Sequence, residues 1–327
     1  QANGNMEQDA KIYIAGHRGL VGQALVRQLN ARGHTNIVTR TSQELDLTEQ
    51  AAVREVFDAE KPDYVLDAAA IVGGIMANDL YPADFIAGNL KIQTNLIDTA
   101  YRAGAKKMLF LGSTCIMPHD APQPMKEEYM LTGPLEETNQ WYAVAKIAGI
   151  KMCQAYRRQY GFDAISVQPT NLFGIGDNFD YETSHMAPAM IRRMHEAKLS
   201  GADNVVIWGT GTPKREIMFV DDMADACVYL MNNYSDEPFV NIGTGEDISI
   251  ADFATLVADV VGYSGSFSYD SSRPDGTPRK LVDVSRLTEL GWQSKISLRE
   301  GVERTYAWYL DNEESLRTLS AENLARK

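Results

Sequence analysis

The sequence predicts an α/β fold, with a doubly wound parallel sheet followed by a smaller, mixed α/β C-terminal region. Short β-branched runs alternate with longer amphipathic stretches through the first half, the pattern of strand–helix–strand units. A three-glycine loop separates the first run from the first stretch. After about Pro169 the alternation breaks into longer loops rich in Gly, Asn and Pro, so a second architecture begins there.

Taken in order, Lys11–Ala15 (KIYIA) reads as a buried strand and Leu20–Arg32 as a helix. Asn36–Thr39 and Tyr64–Leu66 are the second and third strands. Asp84–Ala103 is a long helix, and Lys107–Leu111 (KMLFL) is the fourth strand. Tyr142–Tyr160 is a helix and Ala164–Val167 a further strand. Asn171–Tyr181 reads as loop. Helical patterns return at Met186–Leu199, Asp222–Met231, Ile250–Val261 and Leu298–Leu310. Between them lie short strands at Val205–Trp208 and Val240–Ile242.

Bulk properties narrow the function classes. A chain of 327 residues has room for more than one domain. Its 44% hydrophobic and 23% charged residues are ordinary for a soluble enzyme. No apolar run approaches the ~18–20 residues needed to span a bilayer. A net charge of −13 argues against nucleic acid as a partner, while leaving room for a local basic cluster that holds an anion. Three widely spaced cysteines, Cys115, Cys153 and Cys227, make neither a disulfide framework nor a zinc site. A cytoplasmic location and the absence of a metal are therefore expected.

The loop Gly16-His17-Arg18-Gly19-Leu20-Val21-Gly22 follows the first strand and opens the first helix. In that context three glycines permit a tight turn, close approach of a pyrophosphate, and tight helix–strand packing. The helix N-terminus adds free N–H groups and partial positive charge. A Rossmann-type dinucleotide-binding domain is thus expected over 11–170, completed by 217–245. Residues 171–216 and 246–327 would form a substrate domain. Residues 1–10 would be a tail, with Gln1–Asn5 reading as an expression remnant before a native Met6. The second strand ends in Thr39-Arg40-Thr41-Ser42 with no acidic residue to bind a ribose hydroxyl. Arg40 and Arg18, helped by Ser42, can grip a 2′-phosphate instead, so NADP(H) is the expected cofactor.

Gly112-Ser113-Thr114-Cys115 follows the fourth strand, at the edge where such sheets bind ligands. Tyr142 and Lys146 lie four apart, on one face of a helix. An ammonium beside a phenol is expected to lower the tyrosine pKa from its ordinary ~10. Tyr142 can then exchange a proton with a substrate oxygen that Ser113 also hydrogen-bonds. Such a site reduces a carbonyl.

The order glycine loop, strand-end serine and Tyr-x-x-x-Lys resembles the extended short-chain dehydrogenase/reductase superfamily. Longer segments narrow the resemblance: Gly16–Gly19, Ala70–Ile75, Tyr81–Phe85, Gly112–Ile116, Tyr142–Lys151, Pro169–Leu172, Asp177–Phe179, Trp208–Pro213 and Pro274–Lys280. From Lys11 to about Asn312 the chain resembles the GDP-L-fucose synthase family. The resemblance implies epimerisation of GDP-4-keto-6-deoxy-D-mannose at C3 and C5, then NADPH reduction at C4. It assigns the acid and base of epimerisation to Cys115 and His185. A thiol near ~8.5 suits the task if a cation or dipole lowers it, and histidine ordinarily titrates near neutrality. On the residues alone, Cys115 reads as a small core residue, and His185 reads equally as a helix cap near Met186 or as a functional group. The resemblance also places Arg193, Trp208, Arg215, Asp275 and Lys280 at the GDP, and Leu111, Gly112, Pro169, Asn171, Leu172 and His185 around the cofactor. Asn171 can also hydrogen-bond the sugar. Trp208 offers guanine a stacking face, and Arg215 and Lys280 offer charge to the diphosphate. The family often carries an arginine where this chain has Ser42.

Other nucleotide-sugar short-chain enzymes, 4-epimerases or 4,6-dehydratases, are the nearest alternatives. A dehydratase usually sets an acidic residue beside the strand-end serine, where this chain has Cys115. A non-catalytic NADP-binding regulator is the alternative from another class, and such proteins tend to lose the tyrosine or lysine. The family resemblance further implies a homodimer, with Asp84–Ala103 and Tyr142–Tyr160 as candidate interface helices.

Overall fold

The computed structural model describes residues 4–73 and 75–325. The chain runs β1 (Ile12–Ala15), α1 (Leu20–Ala31), β2 (Ile37–Val38), α2 (Gln50–Glu60), β3 (Tyr64–Asp67), α3 (Ile75–Leu80), α4 (Pro82–Arg102) and β4 (Lys107–Leu111). It continues through α5 (Gln140–Tyr160), β5 (Ala164–Pro169), β6 (Asn171–Phe173), α6 (Met186–Ser200), β7 (Asn204–Trp208), β8 (Lys214–Arg215), β9 (Ile217–Phe219) and α7 (Val220–Asn233). Then follow β10 (Val240–Ile242), β11 (Ile248–Ser249), α8 (Ile250–Val261), β12 (Ser266–Asp270), β13 (Arg279–Lys280), α9 (Ser285–Glu289) and α10 (Leu298–Ala325).

Six strands form one parallel sheet in the order β2-β1-β3-β4-β5-β10. The mixed α/β, Rossmann-like fold expected from the sequence is the one observed. Strands β1, β3 and β5 are buried along their whole length, as a sheet covered on both faces requires. Alternate side chains separate two apolar layers. Ile12, Ile14, Leu66 and Leu109 pack with Leu25 and Leu29 of α1 and Met223 and Cys227 of α7. Tyr13, Val65, Met108 and Phe110 pack on the other face with Phe57 of α2, Leu96 of α4 and Ile150 of α5. A third apolar cluster, built on α6, α8, α10 and β7, underlies the C-terminal region. Helix α4 starts at Pro82, where the missing N–H costs nothing, and α5 ends at Gly161 in the left-handed conformation.

The structure departs from the sequence reading in several places. Asn171–Tyr181 is not loop throughout, since its first three residues form β6, paired in parallel with β9. That pairing depends on residues far along the chain, which a local pattern does not show. Helix α2 buries only Val53 and Phe57, too thin a stripe to stand out in sequence. Helix α5 begins two residues before Tyr142, and α10 continues past Leu310 to Ala325. Of the expected N-terminal remnant, residues 1–3 lie outside the described residues, and the chain is tied down soon after. Met6 is buried and donates its N–H to Asn232 Oδ1 at 2.9 Å, and Glu7 accepts from Tyr64 at 2.6 Å and Lys106 at 3.0 Å.

Candidate active site at the carboxyl edge of the sheet

Strand β1 lies between β2 and β3, so the direction of sheet growth reverses there and a crevice opens beyond the strand ends. A cleft of ≈ 750 Å³ occupies it. Its walls include Gly16–Val21, Arg40–Ser42, Ala68–Val72, Leu111, Gly112, Tyr142, Lys146 and His185. The three loop glycines serve three different ends. Gly16 has φ +75°, and a Cβ there would lie 2.6 Å from the Ala68 carbonyl oxygen. At Gly22 a Cβ would lie 2.0 Å from the Gly16 carbonyl oxygen, so this residue lets α1 seat on the loop. Gly19 is different. Its Cβ would meet nothing closer than Gly16 O at 3.5 Å, so nothing within the chain forbids a side chain. Gly19 caps α1 with the open first turn of the helix beside it, leaving a cradle for an anionic group.

Arg18, Arg40 and Ser42 all border this cleft. Arg40 is held at the end of β2, its Nη2 donating to Glu60 Oε1 at 2.7 Å and its Nη1 to the Thr39 carbonyl at 2.9 Å. Lys11 and Arg40 together hold the Glu60 carboxyl below the usual carboxylate range. Arg40 is thus a positioned cation, half-buried, rather than a freely solvated one.

A second cleft of ≈ 460 Å³ adjoins the first. Ser113, Tyr142, Pro169–Leu172, His185, Arg215, Thr277 and Lys280 line it. Leu20, Gly112, Tyr142 and His185 border both clefts, so the two meet at Tyr142. Tyr142 lies in the first turn of α5, with Lys146 one turn on. Lys146 Nζ donates to the Leu111 carbonyl at 2.7 Å and lies 5.6 Å from the Tyr142 ring centroid.

The expected activation of Tyr142 is corrected here. Burial pushes its phenol well above the usual range, and the Asp67 carboxylate, joined by Cys115 only when that thiol ionises, pushes the same way. Burial likewise pushes the Lys146 ammonium down, with Asp67 and Cys115 opposing. Tyr142 therefore stands as a neutral phenol, a proton donor. Cys115 needs the same correction. It sits in a short 3₁₀ turn, Thr114–Ile116, with the Ser113 side chain hydrogen-bonded to its sulfur. Burial raises the thiol, and the Ser113 bond, Lys146 and Lys280 only partly offset this. His185 precedes α6 in extended backbone, but its side chain makes no capping bond. It is exposed to both clefts, so the capping role does not hold.

Arg215 and Lys280 are register partners on β8 and β13, which sets two cations side by side in the second cleft. Burial, reinforced by Arg215, pushes the Lys280 ammonium down, while Cys115 and Glu136 resist. Asn171 is anchored through Nδ2 to the Glu216 carbonyl at 3.1 Å. Arg193, Trp208 and Asp275 stand apart from both clefts, grouped around the end of β7. Arg193 donates to the Val206 carbonyl, and Asp275 accepts from Thr210 N at 2.7 Å. Trp208 is 64% exposed, with the Arg273 guanidinium 4.6 Å from its ring centroid, so it is not a core residue. Sequence reasoning missed Thr277, Met186 and the alanines after β3 as wall residues. The signal for the alanines was present, since Ala68-Ala69-Ala70 is a small-residue run at a strand end. Among the described residues no cluster of metal-ligand side chains exists, and no helix is long and apolar enough to cross a membrane.

Residues 12–243 match the model of the NAD dependent epimerase/dehydratase family. GDP-L-fucose synthase 1 of Arabidopsis thaliana is 59% identical over 306 residues, covering 94% of this chain and 95% of that protein. GDP-L-fucose synthase of Escherichia coli (strain K12) is 50% identical over 316 residues, covering 94% and 98%. A crystal structure of a GDP-L-fucose synthetase from Naegleria fowleri bound to NADP superposes with a TM-score of 0.89 at 28% identity, covering 96% of each chain.

Proposed function

Because the chain belongs to the NAD dependent epimerase/dehydratase family, and within it to the GDP-L-fucose synthases, we propose that it converts GDP-4-keto-6-deoxy-D-mannose to GDP-L-fucose. The observation that carries this reading is the meeting of the two clefts at Tyr142, with a dinucleotide cradle on one side and paired cations on the other.

NADP(H) fits the residues present. The open cradle at Gly19 and the free first-turn amides of α1 suit its pyrophosphate, and Arg18, Arg40 and Ser42 suit its 2′-phosphate. Once bound, it supplies the hydride for C4. The chain's own groups do the rest. Arg215 and Lys280 neutralise the diphosphate of the sugar nucleotide, and Asn171 hydrogen-bonds the sugar. Trp208 stacks on guanine, and Arg193 and Asp275 complete that end of the site. The hydroxyls of Ser113 and Tyr142 donate to the C4 oxygen and stabilise the enolate formed when a proton leaves C3 or C5. Cys115 and His185 remove and return those protons on opposite faces. In the final step the Tyr142 phenol protonates the C4 oxygen, and Lys146 stabilises the phenolate left behind. One set of donors around one oxygen thus serves both epimerisations and the reduction.

The test joins two readouts on one substrate. One NADPH is expected to be oxidised per keto-sugar, and solvent deuterium is expected to enter C3 and C5. Burial holds Cys115 as a thiol, so exchange should quicken from about pH 7 to about pH 9 if Cys115 is the base. Wild-type exchange in both Cys115→Ser and His185→Ala would remove these residues from the mechanism. Turnover of a UDP-sugar, with none of the GDP-keto-sugar, would sink the substrate assignment.

A homodimer built on α4 and α5 is supported by the outward face of these packed helices. It carries exposed Ala87 on α4 and exposed Trp141, Val144 and Ala155 on α5, with Lys91 and Lys151 as the charged residues among them. A cytoplasmic location is supported by the three free thiols. Sedimentation near twice 36.3 kDa, and three unpaired thiols in protein taken from cells, are the expected results. A monomer at micromolar concentration, or a recovered disulfide, would refute the respective reading.

A further inference from the structure

Strand β3 ends in a carboxyl group that its place in the sheet does not call for. Along β3, Val65 packs on the α5 side and Leu66 on the α1 side, so alternation returns Asp67 to the α5 side. Its register partners are Phe110 on β4 and Ala15 on β1, both members of the apolar layer there. Asp67 is 2% exposed. One carboxylate oxygen accepts from the Ala69 N–H at 3.0 Å, and the other is buried with no hydrogen-bond partner. An apolar residue would sit there at lower cost, so a carboxylate in this slot needs a compensating charge.

Lys146 supplies one. It reaches into the same layer from α5, with Nζ 5.0 Å from the ring centroid of Phe110, the register partner of Asp67. It donates a hydrogen bond to the carbonyl of the next residue, Leu111. The other titratable groups around the two are Tyr13 on β1, Tyr142 and Cys153 on α5, and Cys115 on the turn after β4. Burial raises all four, so near neutrality they are uncharged. The charged groups beyond them are Arg40, which acts on Tyr13, Lys280, which acts on Cys115, and Arg157, which acts on Cys153. We propose that Asp67 is a positioning residue for the reduction, its carboxylate being the counter-charge that keeps Lys146 an ammonium beside Tyr142. The proposal rests on the roles given above to Tyr142 and Lys146. Burial pushes the Asp67 carboxyl up to about 6, with Lys146 and then the Ala69 N–H pulling it back. The carboxylate is therefore charged above that pH and the counter-charge fades below it.

Competitive acylation of Lys146 across pH in the ligand-free protein, read by mass spectrometry, tests the pair without any substrate. Asp67→Asn is expected to move the labelling midpoint down by about one pH unit, a tenfold change in proton affinity. The alkaline limb of NADPH oxidation should move with it, with kcat falling more than KM changes. A merely structural role would lower activity equally at every pH. An unchanged midpoint overturns the proposal. Should Asp67→Asn fail to fold, Lys146→Met gives the reciprocal measurement. Asp67 without its partner binds a proton more tightly in the folded state, so this variant should lose more thermal stability than wild type between about pH 5 and about pH 8. Parallel melting curves for the two proteins would overturn the pairing. A shifted midpoint in a protein that turns over no keto-sugar would uphold the pairing and overturn the reaction instead.

Discussion

Tyr142→Phe is expected to lower the rate of NADPH oxidation with GDP-4-keto-6-deoxy-D-mannose by about 10²–10⁴-fold, the usual worth of a positioned general acid. The magnitude follows from where the phenol stands. It borders both clefts, and its side chain is held as a neutral donor by burial and by nearby negative charge. Because its proton affinity is raised, the acid stays loaded through the neutral range, and the loss should be the same from about pH 6 to about pH 8. The substitution removes one hydroxyl that faces a cleft, so stability should stay within about 0.5 kcal/mol of wild type. Deuterium exchange at C3 and C5 should fall less steeply, since Ser113 still donates to the enolate oxygen. Single-turnover NADPH oxidation and exchange on the same samples separate the two steps. Wild-type oxidation in Tyr142→Phe would remove Tyr142 from the acid role.

Gly22→Ala is expected to weaken NADP(H) binding by about 5–150-fold. A Cβ at Gly22 would lie 2.0 Å from Gly16 O, 2.7 Å from Gly16 C and 2.7 Å from His17 Cα. All three are backbone atoms, so no side chain can swing aside, and α1 must lift or the loop must open. Overpacking of this kind costs about 1–3 kcal/mol, and at 1.4 kcal/mol per factor of ten the stated range follows if the distortion falls on the cradle. Gly19→Ala is the matched control. Its Cβ meets only Gly16 O at 3.5 Å, so the protein should fold and melt as wild type does. It should nonetheless bind the cofactor less tightly, because the added methyl fills the cradle. Calorimetric titration with NADPH, beside melting curves, distinguishes the two. Wild-type affinity in Gly22→Ala would show that the loop does not position the cofactor.

Much of the fold was legible because the central strands are buried on both faces and so read as unbroken apolar runs. KMLFL at β4 was bounded to the residue. Strands β6 and β12 were not legible. The first is three residues long and exists through its pairing with β9. The second alternates polar residues on a half-exposed ladder beside β7. The site followed the same division. Ser113, Tyr142 and Lys146 were found by position along the chain, and the structure brings them to one place. Cys115 and His185 came from resemblance alone, and on the residues Cys115 looked like core. Asp67 gave no sign, because a single acidic residue after Leu66 looks like the end of a strand rather than a charge inside a layer.

The amino-acid sequence by itself determined the local devices: the order of strands and helices, the glycine turn, and the four-residue spacing that sets Tyr142 and Lys146 on one helical face. These depend on backbone geometry within a few residues, so they are written locally. Only the tertiary structure decided which groups hold their protons, which cations stand together, and where the clefts meet. Desolvation depends on what packs around a group from distant parts of the chain, and it reversed the expected shift at Tyr142. The pairing of Arg215 with Lys280 and of Asp67 with Phe110 is a matter of strand register between segments far apart in sequence.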